Sequence, residues 1–230
     1  MVKFSKLSSA VNALILCLVF IGCSGDNLRE PAMKSAALVG SVKAKAELLE
    51  QPTGNVFSLS IEEARIMPDF TSEQITSVCA LAFFNELSED QRSGCFVRVS
   101  ISQNKEAPVQ ATYTCEELTI ADRCIENAST FLSWHPSMGL DSIRPAIDAS
   151  FFPDSTLEYI GQSILSQDTA DNAWIRTEIM GFRQDTVAKI PVLVLNAKSI
   201  RKQQTQWYDV FARYSNQQLI FVSAKLDKTK

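Results

Sequence analysis

A single histidine stands in the 230 residues. The side chain most used as a catalytic base or metal ligand is therefore absent from every position but His135. Basic excess is missing as well: 22 Lys+Arg face 26 Asp+Glu, for a net charge of −4. A protein that holds nucleic acid by neutralising phosphates needs the opposite balance. Eight Gly and eight Pro are too few for a collagenous or low-complexity chain. There is no G-x-S-x-G, no G-x-x-x-x-G-K, no G-x-G-x-x-G and no H-E-x-x-H, so the common nucleophile, phosphate, dinucleotide and zinc signatures are missing. What remains is 46% apolar residues with a small net charge, the composition of a folded globular chain rather than a disordered one.

The N-terminus, MVKFSKLSSAVNALILCLVFIGC, is different in kind. Lys3 and Lys6 make a positive start with no acid, and Ala10 to Ile21 is an apolar run broken only by Asn12. A spanning helix needs about 20 apolar residues; this run has the length of a signal-peptide core. Val19-Phe20-Ile21-Gly22-Cys23 resembles the lipobox of bacterial lipoproteins, in which a small residue precedes an obligatory Cys. Phe20 stands where that pattern favours Leu. The resemblance covers the leader alone. It implies that residues 1–22 are removed, that Cys23 is lipidated, and that the chain is held in the cell envelope by several acyl chains. Ser24, rather than Asp, after the Cys favours the outer membrane. The rival is an ordinary secretory signal cut near Gly22–Gly25, giving a secreted protein. Loss of Lys3 and Lys6 takes the net charge to −6. Residues 23–35 read as a lipid-anchored tether, and 36–230 as a soluble domain, with 133–153 as a boundary at which it would split into two subdomains.

Beyond Cys23, the exported chain carries Cys79, Cys95, Cys115 and Cys124. An even number in an exported chain implies two disulfides, and no close Cys pair offers a metal or redox site. Cys95, Val97, Val99 and Ile101 alternate on one strand face; so do Val109, Ala111, Tyr113 and Cys115. The polar residues 102–108 make the two runs a hairpin. Matching the apolar faces pairs Ile101 with Val109, Val99 with Ala111 and Val97 with Tyr113, and the same register sets Cys95 opposite Cys115. Opposed residues lie about 4.5–5.5 Å apart at Cα, within disulfide reach. That leaves Cys79 for Cys124. The alternative is nearest-neighbour pairing, 79–95 and 115–124.

Elsewhere, period-two alternation predicts a hairpin across Val42–Leu48 and Phe57–Ile61, although a helix over 32–50 competes on propensity. Thr71-Ser72-Glu73 opens a helix with Ile75, Val78, Cys79 and Ala82 spaced to follow. Residues 116–132 form another. Residues 133–153 read as loop with one helical turn around 142–150, and 172–226 as an antiparallel meander of four strands. This is an α+β chain, an antiparallel sheet with a C-terminal meander packed against two or more helices. The order of helices and then long strands is loosely similar to cystatin-like or NTF2-like cones, an analogy that licenses no function.

The chemistry-bearing candidates are few. His135 lies between Trp134 and Pro136, with Ser137 and Asp141 nearby; a Ser/His/Asp set would need all three to converge. Glu62-Glu63 and Glu116-Glu117 read as solvated carboxylates. Asp168–Asn172 resembles a calcium loop but lacks its turn glycine. Trp207, Tyr208 and Tyr214 are strand aromatics that could line a groove. These features favour a non-enzymatic binding or assembly component of the envelope, without metal or cofactor. Its partners would be membrane lipid through Cys23 and an envelope protein. The alternatives are an envelope hydrolase with His135 as base, and a carrier of apolar ligands, which requires a closed cavity lined by the C-terminal strands.

Overall fold

The computed structural model describes residues 26–52, 54–65, 70–103, 107–167 and 171–225. The leader and Cys23 lie outside them, as do residues 168–170 of the calcium-loop resemblance. Among the described residues no helix is long and apolar enough to cross a membrane.

The chain opens with a 3-10 turn, Asp26–Leu28, and α1, Arg29–Leu38. This corrects the expected tether. Leu28, Pro31, Ala32, Ser35 and Ala36 are buried, because the small residues of this segment let α1 lie close on its neighbours. Any tether is therefore shorter than the polar composition of 23–35 suggests. The hairpin follows as β1, Lys43–Gln51, and β2, Gly54–Glu62, with Leu48 opposite Phe57. The composition that favoured a helix over 32–50 is thus divided: helix to Leu38, strand from Lys43.

Next come α2, Ser72–Asn85, and the short α3, Glu89–Arg92; then β3, Phe96–Ile101, and β4, Val109–Thr114. The first sheet has the order β1-β2-β3-β4, with β2 and β3 parallel and the outer pairs antiparallel. The crossover between the parallel strands is made by α2 and α3, as a parallel pair requires a long connection. Thr71 caps α2: its hydroxyl accepts from the Gln74 N–H, and the Gln74 side chain answers at the Thr71 N–H.

After α4, Cys115–Leu132, three 3-10 turns occupy Pro136–Met138, Leu140–Ser142 and Arg144–Ala146. The expected single turn in 133–153 is therefore three, shorter and tighter, with Trp134, Ile143, Ile147 and Phe152 buried among them. α5, Asp154–Gln167, leads to the second sheet: β5 Trp174–Val187, β6 Ile190–Arg201, β7 Thr205–Arg213 and β8 Leu219–Lys225. This is the antiparallel meander in the order β5-β6-β7-β8. The fold is α+β, as its sequence pattern implies.

α2 explains how the two sheets share one core. It buries Ile75, Thr76, Ser77, Cys79, Ala80, Leu81, Phe83 and Phe84, more than one face of a helix. On one side Phe83 packs on Phe57 of β2, and Thr76 shares a 2.8 Å hydrogen bond with the Tyr113 hydroxyl of β4. On the other, the Ser77 hydroxyl accepts from the Phe182 N–H of β5 at 2.9 Å. Gly181 permits this approach: a Cβ there would stand 2.5 Å from the Gln74 carbonyl oxygen. The main apolar core runs from β2 and β3 through α2 and α4 into β6 and β7, and takes in buried side chains of 134–152; Val192, Val194 and Ile220 form a second, smaller cluster on the meander.

Candidate functional site

The β3–β4 register is the one read from the apolar faces: Val97 opposes Tyr113, Val99 opposes Ala111 and Ile101 opposes Val109. Cys95 and Cys115 flank it with Cα atoms 5.3 Å apart, and they are disulfide-bonded. The second expected bond does not form. Cys79 and Cys124 are buried thiols. The cause is which way each helix faces. Cys79 on α2 turns toward α1, its sulfur 3.6 Å from the Ser35 carbonyl oxygen, whereas Cys124 is buried on α4, which packs on β6 and β8 of the meander. The two helices meet instead through Asn85 and Asp122, at 3.0 Å. Burial pushes both thiols up to about 12, so they stay protonated and unreactive.

His135 follows the end of α4. Its Nδ1 lies 2.7 Å from the Ser137 hydroxyl and 3.3 Å from the Ser137 backbone N, capping the turn Pro136–Met138. Asp141 does not complete a triad. Its side chain is 101% exposed and pairs with Arg144, which also reaches Asp154. Neighbours in sequence are here neighbours in a turn, and the His–Ser contact satisfies backbone. The paired carboxylates are equally local. Glu63 pairs with Lys43 at the surface. Glu117 completes the α4 capping box at Thr114 and accepts from Gln184. Among the described residues no cluster of His, Cys, Asp and Glu could hold a metal ion.

His135 nonetheless belongs to a larger feature. α5 lies over one face of the meander and leaves a cleft of about 460 Å³ between them. Leu132, Ile160 and Ile164 form its helical wall; Tyr208, Val222 and Ala224 form its floor. The register places the floor residues on one face, since Ala197 opposes Tyr208 and Tyr208 opposes Ala224. Ser199 and Arg201 follow Ala197 on that face by period two. Gly161 brings α5 close at one end, for a Cβ there would press on Pro136 and Trp134 at 3.2 and 3.3 Å. Tyr159 and Trp174 stand at the mouth, 73% and 39% exposed. Burial raises the Tyr208 phenol above its ordinary value, and the Arg201 charge pulls the other way.

Of the aromatics read from the sequence, only Tyr208 enters this cleft. Trp207 points to the opposite face, against Phe70 and Lys198, and Tyr214 lies by α4 near Gln217. α5 itself was not foreseen, although Leu157, Ile160, Gly161 and Ile164 keep helical spacing after Pro153. A second hollow, of about 600 Å³, is lined by Leu38, Arg65, Phe70, Ile75 and Met180. Comparison with protein-family models, with curated proteins and with solved structures finds no match to this chain.

Proposed function

We propose that this chain is an exported, lipid-anchored envelope component that binds a small, largely apolar ligand in the cleft between α5 and the meander. The cleft carries the reading. It has apolar walls, a few convergent polar groups and a volume at the lower end of the small-molecule range. Its floor is made by C-terminal strands, as in the carrier reading, although it is an open cleft and not the closed cavity that reading expects. The lipobox resemblance supports anchorage through Cys23, and the Cys95–Cys115 disulfide suits an oxidising compartment. The outer membrane is the favoured site, and an envelope protein partner would receive or supply the ligand. A hydrolase centred on His135 has the 2.7 Å Ser137 contact in its favour; it lacks Asp141 as an orienting acid.

Two measurements test this. Mass spectrometry of membrane-extracted protein should find an acylated N-terminal Cys23, and Cys23→Ser should release the protein from membranes or leave the precursor uncut. An unmodified N-terminus elsewhere removes the anchor. A fluorescent apolar probe such as N-phenyl-1-naphthylamine should bind the protein, and Ile164→Glu should abolish that binding. Unchanged binding by Ile164→Glu removes the cleft from the proposal.

A further inference from the structure

The polar lining of the cleft is one-sided in its chemistry. Among the described residues it presents one guanidinium, one imidazole and four hydroxyls, and no carboxylate or carboxamide. That runs against the composition of the chain, in which Asp+Glu outnumber Lys+Arg, 26 to 22. Each of these side chains is able to donate a hydrogen bond. The guanidinium is that of Arg201, which stays ionised. The Asn172 carbonyl accepts from its Nη1 at 3.2 Å, a contact that orients the group without adding an opposite charge. The Arg201 charge is felt at the Tyr208 phenol of the floor. His135 Nδ1 accepts from the Ser137 N–H at 3.3 Å, so the neutral ring holds its proton at Nε2 and is a donor as well.

The charge and the apolar wall are also set apart. Arg201 opposes Trp174 across the β5–β6 ladder, and Trp174 stands at the exposed mouth. Leu132, Ile160 and Ile164 make the helical wall. A guest with its charged end beside Arg201 and a hydrocarbon tail along that wall satisfies both. A cationic head would meet a like charge with no acid among the described lining residues to answer it. A neutral head would forgo a charge-assisted hydrogen bond, which is about twice as strong as a neutral one. A volume of about 460 Å³ is near the lower end of the small-molecule range and suits one hydrocarbon chain rather than two. We infer that the cleft takes a single-chain amphiphile with an anionic head group, a carboxylate in the simplest case, held by Arg201 with the hydrocarbon along Ile160 and Ile164. This rests on the cleft reading above and names its ligand class.

The test uses the full chain carrying Cys23→Ser, loaded with N-phenyl-1-naphthylamine, and follows displacement of that probe at neutral pH by octanoate, 1-octanol and octyltrimethylammonium. The tail is the same in all three, so their ranking reads the head group. Octanoate should displace at a concentration about three- to tenfold lower than octanol, the difference between a charge-assisted and a neutral hydrogen bond in an open cleft. Octyltrimethylammonium should displace least. Arg201→Gln should erase the octanoate advantage and leave octanol nearly unchanged; Arg201→Lys, which keeps the charge, should retain part of it. Thermal melts establish that both variants are folded, and the head-group ranking needs neither. Dihexanoyl phosphatidylglycerol, whose two chains together match the carbon count of dodecanoate, separates a membrane phospholipid from a single-chain guest and should displace less well than dodecanoate. If octanoate holds no advantage over octanol or the cation, if the advantage survives in folded Arg201→Gln, or if the two-chain lipid displaces best, the inference is overturned while the cleft reading stands. If the naphthylamine probe itself does not bind, both are overturned.

Discussion

The two sheets of this protein treat their covering helices differently. α2 lies between the first sheet and the meander and is buried on nearly every side, with Cys79, Ala80 and Phe83 at 0% exposure. α5 touches Trp134 and the turn Pro136–Met138 at Gly161 and stands off from the meander it faces. Along α5, Leu157 is fully buried, Ile160 and Ile164 are half-buried, and Tyr159 and Leu165 are 73% and 52% exposed. Close packing against two layers buries most of α2, leaving a hollow only beside Ile75 and Val78 near its N-terminal end. Packing against one layer, with aromatic side chains propping the helix at Trp134, leaves the cleft.

The comparison can be broken most sharply at Gly181. Valine there would put a Cβ 2.5–2.9 Å from three backbone atoms of Gln74, in a backbone conformation at φ +137° that side chains rarely adopt. We expect loss of native folding, on the order of 3 kcal/mol or more, measured by circular dichroism and denaturant titration. Phe83→Ala, at the middle of the same buried helix, should cost about 3–5 kcal/mol. Removal of the disulfide by Cys95→Ala should cost about 3 kcal/mol for a bond spanning 20 residues, and should leave Cys115 open to a thiol probe on unfolding.

The buried helices also make a pH prediction. Cys79 and Cys124 sit at about 12 against 9.0 when unfolded, and Tyr113 at about 12 against 10.0. Each folded value is raised, so its contribution is complete below the unfolded value and is lost as pH climbs through the folded one. Stability should hold to about pH 9 and then fall toward pH 12, each thiol contributing about 1.4 kcal/mol per pH unit. The double variant Cys79→Ala, Cys124→Ala should flatten that slope between pH 9 and 10. The smallest effect belongs to the cleft. Ile164→Ala leaves a space that already opens to solvent, and should cost about 1 kcal/mol or less while changing probe affinity. A cost as large as that of Phe83→Ala would contradict the contrast between the two helices.

Some of this was legible in the residues. Alternation at Cys95–Ile101 and Val109–Cys115 set both the hairpin register and its disulfide, because a slip of one residue would turn every apolar side chain on one strand to water. The cap at Thr71 is a local hydrogen-bond device and sits where its helix begins, whereas the like cap at Thr114 was not read, because the strand pattern runs straight into it. The run Ile190–Leu195 read as a buried strand; Val192–Leu195 are at most 1% exposed, while Ile190 is half-buried and Pro191 exposed. α5 was less legible, since Gly161 and a polar surface weaken its pattern, and α1 was hidden by residues small enough to pass for a tether.

The amino-acid sequence by itself determined the strands, the capped helices and one disulfide, because each follows from contacts between residues near in the chain or from a period that burial enforces. Only the tertiary structure decided which way the helices face. A helix carries Cys79 or Cys124 on whichever side its apolar stripe is drawn to; Cys79 faces α1, while Cys124 is buried as a free thiol on a helix that packs on the meander. The cleft was decided at the same level. Ile160 and Ser163 of α5, Leu132 of α4 and Ser199, Tyr208 and Val222 of the meander meet there. They come together only because α5 is laid across a sheet formed after it in the chain, a long-range arrangement that no local spacing records.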